Sequence, residues 1–147
     1  MTLTFFGHRK VSDEIEEILK TTLTDLIVKR NVDTFYVGNQ GEFDYIVRKN
    51  LKSFKEVYPN IKYAVVLAYL PTQKTETDFY DNYETIFPCG LENVPPKYAI
   101  SKRNLWMLEN SDIIVTYVTR TIGGAAQFEE LASKKGKEII NLADYKN

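Results

Sequence analysis

Arg120-Thr-Ile-Gly-Gly-Ala-Ala-Gln-Phe-Glu-Glu130 puts a cation, a glycine pair and two carboxylates into one short stretch. It follows the apolar run Ile113 to Val118 and leads into a run with helical spacing. A glycine turn between a strand and a helix leaves backbone N–H groups free to hold an anion. Phe6-Gly-His-Arg9 and Val37-Gly-Asn-Gln-Gly-Glu-Phe43 repeat this grammar earlier in the chain. Arg9 offers a bidentate fork suited to phosphate. His8 could act on phosphate or ribose, or could simply bond a neighbouring backbone group. Asp44 sits early in the helix after the second turn, where it could complement the helix dipole or take ribose hydroxyls. Glu129 and Glu130 are about 100° apart on a helix, so only one should face the turn squarely.

The elements that must carry these residues can be read in order. Leu3 to Phe6 is a short β run closed by Gly7. Ser12 is a suitable N-cap, and Ile15, Ile18, Leu19, Leu23, Leu26 and Ile27 follow helical spacing. Thr34 to Val37 is a second β run, followed by an apolar helical face at Phe43, Ile46, Val47, Leu51, Phe54 and Val57. Tyr63 to Tyr69 is nearly continuous in apolar residues, as expected of a strand buried on both faces. Thr72 to Pro96 is expected to be irregular, with one helical turn near Asp78 to Tyr83. Ala99 to Asn110 reads as a helix, Ile113 to Val118 as a strand, and the stretch around Phe128, Leu131 and Ala132 as a helix ending at Gly136. Glu138 to Leu142 is the last strand. This alternation predicts an α/β three-layer Rossmann-like sandwich in one domain, with a mainly parallel sheet of about five strands. The three turns then fall at strand carboxyl ends, where ligands of such sheets bind.

Composition narrows the chemistry. A chain of 147 residues with 44% hydrophobic and 27% charged content is long enough for one substantial core. The net charge of −1 argues against non-specific nucleic-acid binding, which needs a basic face. One cysteine, Cys89, and one histidine, His8, leave no internal disulfide and no Cys/His zinc cluster. No cofactor is expected, although oxygen-ligated magnesium stays open. Leu3 to Phe6 is too short for a signal peptide and no stretch is apolar enough to span a bilayer, so a cytoplasmic protein is expected. Tyr69, Tyr80, Tyr83 and Trp106 are candidates for stacking on a base, although aromatics at helical spacing more often pack.

Phe6-Gly-His-Arg9, Gly38-Asn-Gln-Gly41, Arg103-Asn104 with Met107, Ser111-Asp112 and Gly123-Gly124 stand in an order and spacing that resembles the SLOG superfamily. This Rossmann-like group includes DprA and the LOG phosphoribohydrolases, and the likeness is greatest to small bacterial stand-alone SLOG proteins. LOG enzymes hydrolyse the N-glycosidic bond of nucleoside 5′-monophosphates. Arg103, Met107, Ser111, Asp112, Gly123, Gly124 and Glu130 fall on matching positions. Ile122, Ala126 and Gln127 replace the proline, third glycine and threonine of the LOG phosphate loop. The resemblance therefore implies a nucleotide or nucleotide-derived ligand, with a sensing role ahead of the hydrolase alternative. It also implies self-association, for which the Tyr-rich stretch from Thr72 to Pro96 is a candidate contact.

The candidate binding set is Gly7, His8, Arg9, Gly38, Gln40, Gly41, Asp44, Arg103, Asn104, Gly123, Gly124, Ala125, Gln127 and Glu129. Arg103 and Glu130 would carry the reaction if the protein is an enzyme. Asp112 is expected to pin a strand start.

Overall fold

A computed structural model describes residues 1–70 and 84–145. The strands are β1 (Thr2–Gly7), β2 (Thr34–Val37), β3 (Lys62–Val66), β4 (Glu84–Ile86), β5 (Ile113–Tyr117) and β6 (Glu138–Asn141). The helices are α1 (Ile15–Arg30), α2 (Gly41–Val57), α3 (Pro96–Glu109) and α4 (Gly124–Lys134). All six strands pair in parallel in the order β4-β3-β2-β1-β5-β6. The architecture is the expected α/β Rossmann-like sandwich, with six strands where about five were expected.

The period-2 alternation of each strand divides the core into two layers. Leu3, Phe5, Phe35, Val37, Val65, Ile113 and Val115 face α1 and α2, which contribute Leu19, Leu23, Val47 and Leu51. Phe6, Val66 and Ile114 face the other way, onto Met107 and Leu108 of α3 and Ala132 of α4. Each layer removes long apolar side chains from water, at about 25 cal/mol per Å² of area buried. No helix among the described residues is long and apolar enough to cross a membrane.

Two local expectations change. The stretch expected to be irregular contains β4, which pairs with β3 in the register Ala64 to Glu84 and Val66 to Ile86. A three-residue strand with an exposed Glu84 and Thr85 has too little apolar alternation to announce itself. The helical turn expected near Asp78 to Tyr83 lies outside the described residues. Ser12 does not cap α1: it opens a preceding turn, accepting the Ile15 N–H at its carbonyl (3.2 Å) and the Glu14 N–H at its hydroxyl (3.3 Å). Asp112 behaves as expected, because its carboxylate accepts the Thr2 N–H at 2.9 Å and so ties β5 to β1.

β1 lies between β2 and β5, so the connection runs outward in one direction from β1 to β4 and in the other from β5 to β6. The reversal between β1 and β5 opens a crevice beyond their carboxyl ends, the switch point of this sheet class.

Candidate functional site

A cleft of about 730 Å³ occupies that switch point. It is lined by Gly7, His8, Arg9 and Lys10 after β1, Gln40 and Asp44 after β2, Arg103, Asn104 and Met107 on α3, and Thr119, Arg120, Gly123, Gly124 and Ala125 after β5. Its volume suits a small organic ligand. Of the expected binding residues, Gly7, His8, Arg9, Gln40, Asp44, Arg103, Asn104, Gly123, Gly124 and Ala125 line it. Lys10, Thr119 and Arg120 were not among the expected site residues. Their signal was available, because each lies within a few residues of a strand carboxyl end.

The turns after β1 and β2 are locked together by glycines. A Cβ on Gly7 would stand 2.3 Å from Cγ of the buried Phe43 ring. One on Gly41, whose φ is +87°, would stand 2.8 Å from Cα of Arg9. Glu42 then donates its N–H to the Arg9 carbonyl at 2.8 Å, and its carboxylate accepts the Val11 N–H at 3.0 Å. Gly38 and Gly41 are outside the cleft lining; their contribution is to let Arg9 and Asp44 sit where they do.

Gly38 lies under a buried charged pair. A Cβ there would be 2.7 Å from Asp44 Oδ2 and 2.9 Å from Arg103 Nη1. Asp44 Oδ2 accepts the Gln40 N–H at 3.0 Å, which satisfies one of the open donors at the start of α2. Arg103 is 2% exposed, not the solvated helix cation that a lone arginine usually is. Its Nη1 donates to the Val66 carbonyl at 2.9 Å and its Nε to Asn104 Oδ1 at 2.8 Å. It therefore ties α3 to the end of β3. Burial pushes the Asp44 carboxyl above its usual range, against the opposing pull of the Gln40 N–H and of Arg103 and Arg48. Burial also lowers the Arg103 guanidinium, which Asp44 partly offsets.

His8 is buried, and its Nε2 accepts the Thr119 N–H at 3.0 Å. That bond requires a neutral ring with the proton on Nδ1. Burial depresses the His8 pKa, with help from the Arg120 charge, while Glu129 acts in the opposite sense. Asn141 holds the same loop from the β6 side: its Oδ1 accepts the Val118 N–H at 3.1 Å and its Nδ2 donates to the Val118 carbonyl at 3.0 Å. His8 and Asn141 together fix the start of the segment that carries Arg120 and Gly123. Sequence reasoning missed Asn141 because its partner Val118 is 23 positions away.

Gly123 has φ +114° and ψ 172°, a region that side chains with a Cβ avoid. Gly124 starts α4, and a Cβ on either residue would meet nothing within 4 Å. No side chain caps this helix, so its first N–H groups point outward with the positive end of the dipole behind them. Arg9, Lys10 and Arg120 surround the opening, and none of their side chains bonds or ion-pairs with a described residue.

The remaining expectations separate. Glu130, the one of the two that the resemblance favours, is exposed and paired with Lys134 at 3.4 Å. Glu129 is the inward one, accepting from Thr116 Oγ1 at 2.5 Å. Both line a neighbouring cavity of about 640 Å³ rather than the main cleft. The 100° step between them forces the choice, and the buried Thr116 hydroxyl on β5 decides it. Gln127 is exposed and does not line the cleft. Trp106 packs on Tyr36 with ring centroids 5.1 Å apart, and Tyr69 donates its hydroxyl to the Pro96 carbonyl at 2.9 Å. Tyr80 and Tyr83 lie outside the described residues. Among the described residues no His, Cys, Asp and Glu group could hold a metal ion.

The fold and cleft define a Rossmann-like domain with its crevice at the β1/β5 switch point. The chain is similar in structure to DNA processing protein A (DprA) from Streptococcus pneumoniae, with a TM-score of 0.66 at 13% sequence identity. The likeness covers 94% of this chain and 48% of that one, so the chain spans about half the length of DprA. It shows a shared Rossmann-like fold. No protein-family model and no curated sequence matches the chain.

Proposed function

We propose that the protein binds a phosphate-bearing nucleotide or nucleotide-derived ligand in the β1/β5 cleft, acting as a sensor. One observation carries this reading. Arg9, Lys10 and Arg120, three cations without a described partner, surround the uncapped start of α4. Fixed N–H groups, a helix dipole and unpaired guanidinium groups together favour an anion with several acceptor oxygens. The open approach at Gly123 and Gly124 gives such a group access to backbone.

A thermal-shift panel tests the reading. A ligand that binds only the folded state raises the melting temperature, by an amount that grows with the logarithm of its concentration over Kd. At least one of AMP, ADP-ribose, NAD or a cyclic dinucleotide should raise it at millimolar concentration, and Arg9→Ala with Arg120→Ala should abolish the rise. No shift from any of them overturns the reading.

The hydrolase alternative has Arg103 at the cleft but leaves Glu130 on the far side of the loop, paired with Lys134. It requires free adenine to appear from AMP, and to fall with Glu130→Gln. DNA handling, suggested by the name of the structural neighbour, is disfavoured by the net charge of −1. Self-association remains a proposal from the resemblance and is read by sedimentation.

A further inference from the structure

The two ends of the cleft differ in what they can accept. The end at α4 offers only positive charge. The end at α2 and α3 presents Asp44 and Arg103, which are 8% and 2% exposed. Each has one polar atom without a described partner. Asp44 uses Oδ2 for the Gln40 N–H, leaving Oδ1; Arg103 uses Nε and Nη1, leaving Nη2. Neither atom is sealed in, since Ser111 Oγ is the only buried side-chain polar atom among the described residues that lacks a partner. Both side chains line the cleft, so an acceptor and a donor on the same wall open into it.

Charge decides what fits between them. A second anion there would face the Asp44 carboxylate, and a cation would face Arg103 with Arg48 close behind, its Nη1 donating to the Gly38 carbonyl at 3.2 Å. A neutral group that both donates and accepts satisfies the two atoms without adding charge to a poorly hydrated wall. Adjacent hydroxyls meet this requirement: one donates to Asp44 Oδ1 and the other accepts from Arg103 Nη2.

We propose that Asp44 and Arg103 form a subsite for the vicinal hydroxyls of a ribose, so that the cleft selects ribonucleotides over deoxyribonucleotides. The proposal rests on the reading of the α4 end as a phosphate site. Gly38 is a positioning residue for it, because any larger side chain would displace Asp44 Oδ2 and Arg103 Nη1.

The experiment is calorimetric titration of the whole chain with AMP, 2′-deoxy-AMP, 3′-deoxy-AMP, GMP and UMP. AMP should bind about tenfold or more tightly than either deoxy analogue, the loss expected when a buried charged partner goes unsatisfied. Asp44→Asn, which keeps size and an acceptor for the Gln40 N–H, should weaken AMP and leave unchanged the deoxy analogue that lacks the hydroxyl taken by Asp44. Equal binding of AMP and its deoxy analogues by the unaltered protein overturns the subsite and leaves the phosphate reading standing. A preference among bases with none between sugars also overturns it, since a base edge would then occupy this wall. Binding of none of the five overturns the subsite, and the phosphate reading falls with it when ADP-ribose, NAD and a cyclic dinucleotide also give no thermal shift.

Discussion

At Gly7 and Gly38 a methyl group would collide with a buried side chain, whereas at Gly123 and Gly124 it would meet nothing within 4 Å. Both sets of glycines close strands and open helices, and in sequence they look alike. The first set is needed by the interior: Phe43 packs over Gly7, and Asp44 with Arg103 covers Gly38. The second is needed by conformation at Gly123, where φ is +114°, and at Gly124 by neither packing nor conformation. One wall of the cleft is thus solid and tied into the core, and the other is an open helix start. A glycine turn can mark close approach of the protein to itself or of a ligand to the protein, and only the surroundings distinguish the two.

The contrast can be broken most forcefully on the solid wall. Asp44→Ala leaves Arg103 buried without its counter-charge and removes the acceptor of the Gln40 N–H; a loss of ~3 kcal/mol or more in urea unfolding is expected. A loss below ~1 kcal/mol would mean that the pair is solvated and the wall is not solid. Gly7→Ala should cost about 2 kcal/mol, because the Phe43 ring is held between Phe5 and Tyr117 and has little room to yield. On the open wall, Gly124→Ala should change stability by less than about 1 kcal/mol. The same variant should nevertheless reduce the thermal shift given by AMP. If Gly124→Ala unfolds the protein, or leaves AMP binding intact, the distinction between the walls fails.

His8 joins the two walls, and its bond to the Thr119 N–H depends on a neutral ring. Its folded-state pKa lies below the ordinary value of 6.5, so the folded form binds the proton less tightly than the unfolded chain. The stability it contributes is present above pH 6.5 and is lost as pH falls through the lower folded value. Melting temperature should therefore drop on acidification below neutrality. Asp44 contributes in the opposite sense: with its pKa raised by burial, its stability contribution is present below pH 3.8 and is lost as pH rises through the higher folded value. Comparison with His8→Gln, which keeps an acceptor but does not titrate, isolates the His8 contribution as a flatter pH profile.

Much of the cleft was legible in sequence because its residues lie next to strand ends. Gly7, His8, Arg9, Gln40, Asp44, Gly123, Gly124 and Ala125 need only the strand–turn–helix grammar to be placed at the sheet's carboxyl edge. What could not be read was the direction of side chains across the fold. Arg103 was expected to matter on resemblance, but its burial against Val66 and Asn39 joins residues far apart in the chain. The choice between Glu129 and Glu130 depended on Thr116 across the layer, and the role of Asn141 on a loop from the neighbouring strand. The edge strand β4 escaped because three residues at a sheet edge carry almost no periodic signal.

The sequence by itself determined the alternation of strands and helices, the two-faced burial of the sheet and the three glycine turns, because apolar periodicity and backbone freedom are local properties. The tertiary structure alone decided strand order, and with it the meeting of the β1, β2 and β5 turns at one switch point. It also decided which glycines are closed by Phe43, Asp44 and Arg103 and which stay open, since steric exclusion depends on atoms that arrive from distant parts of the chain.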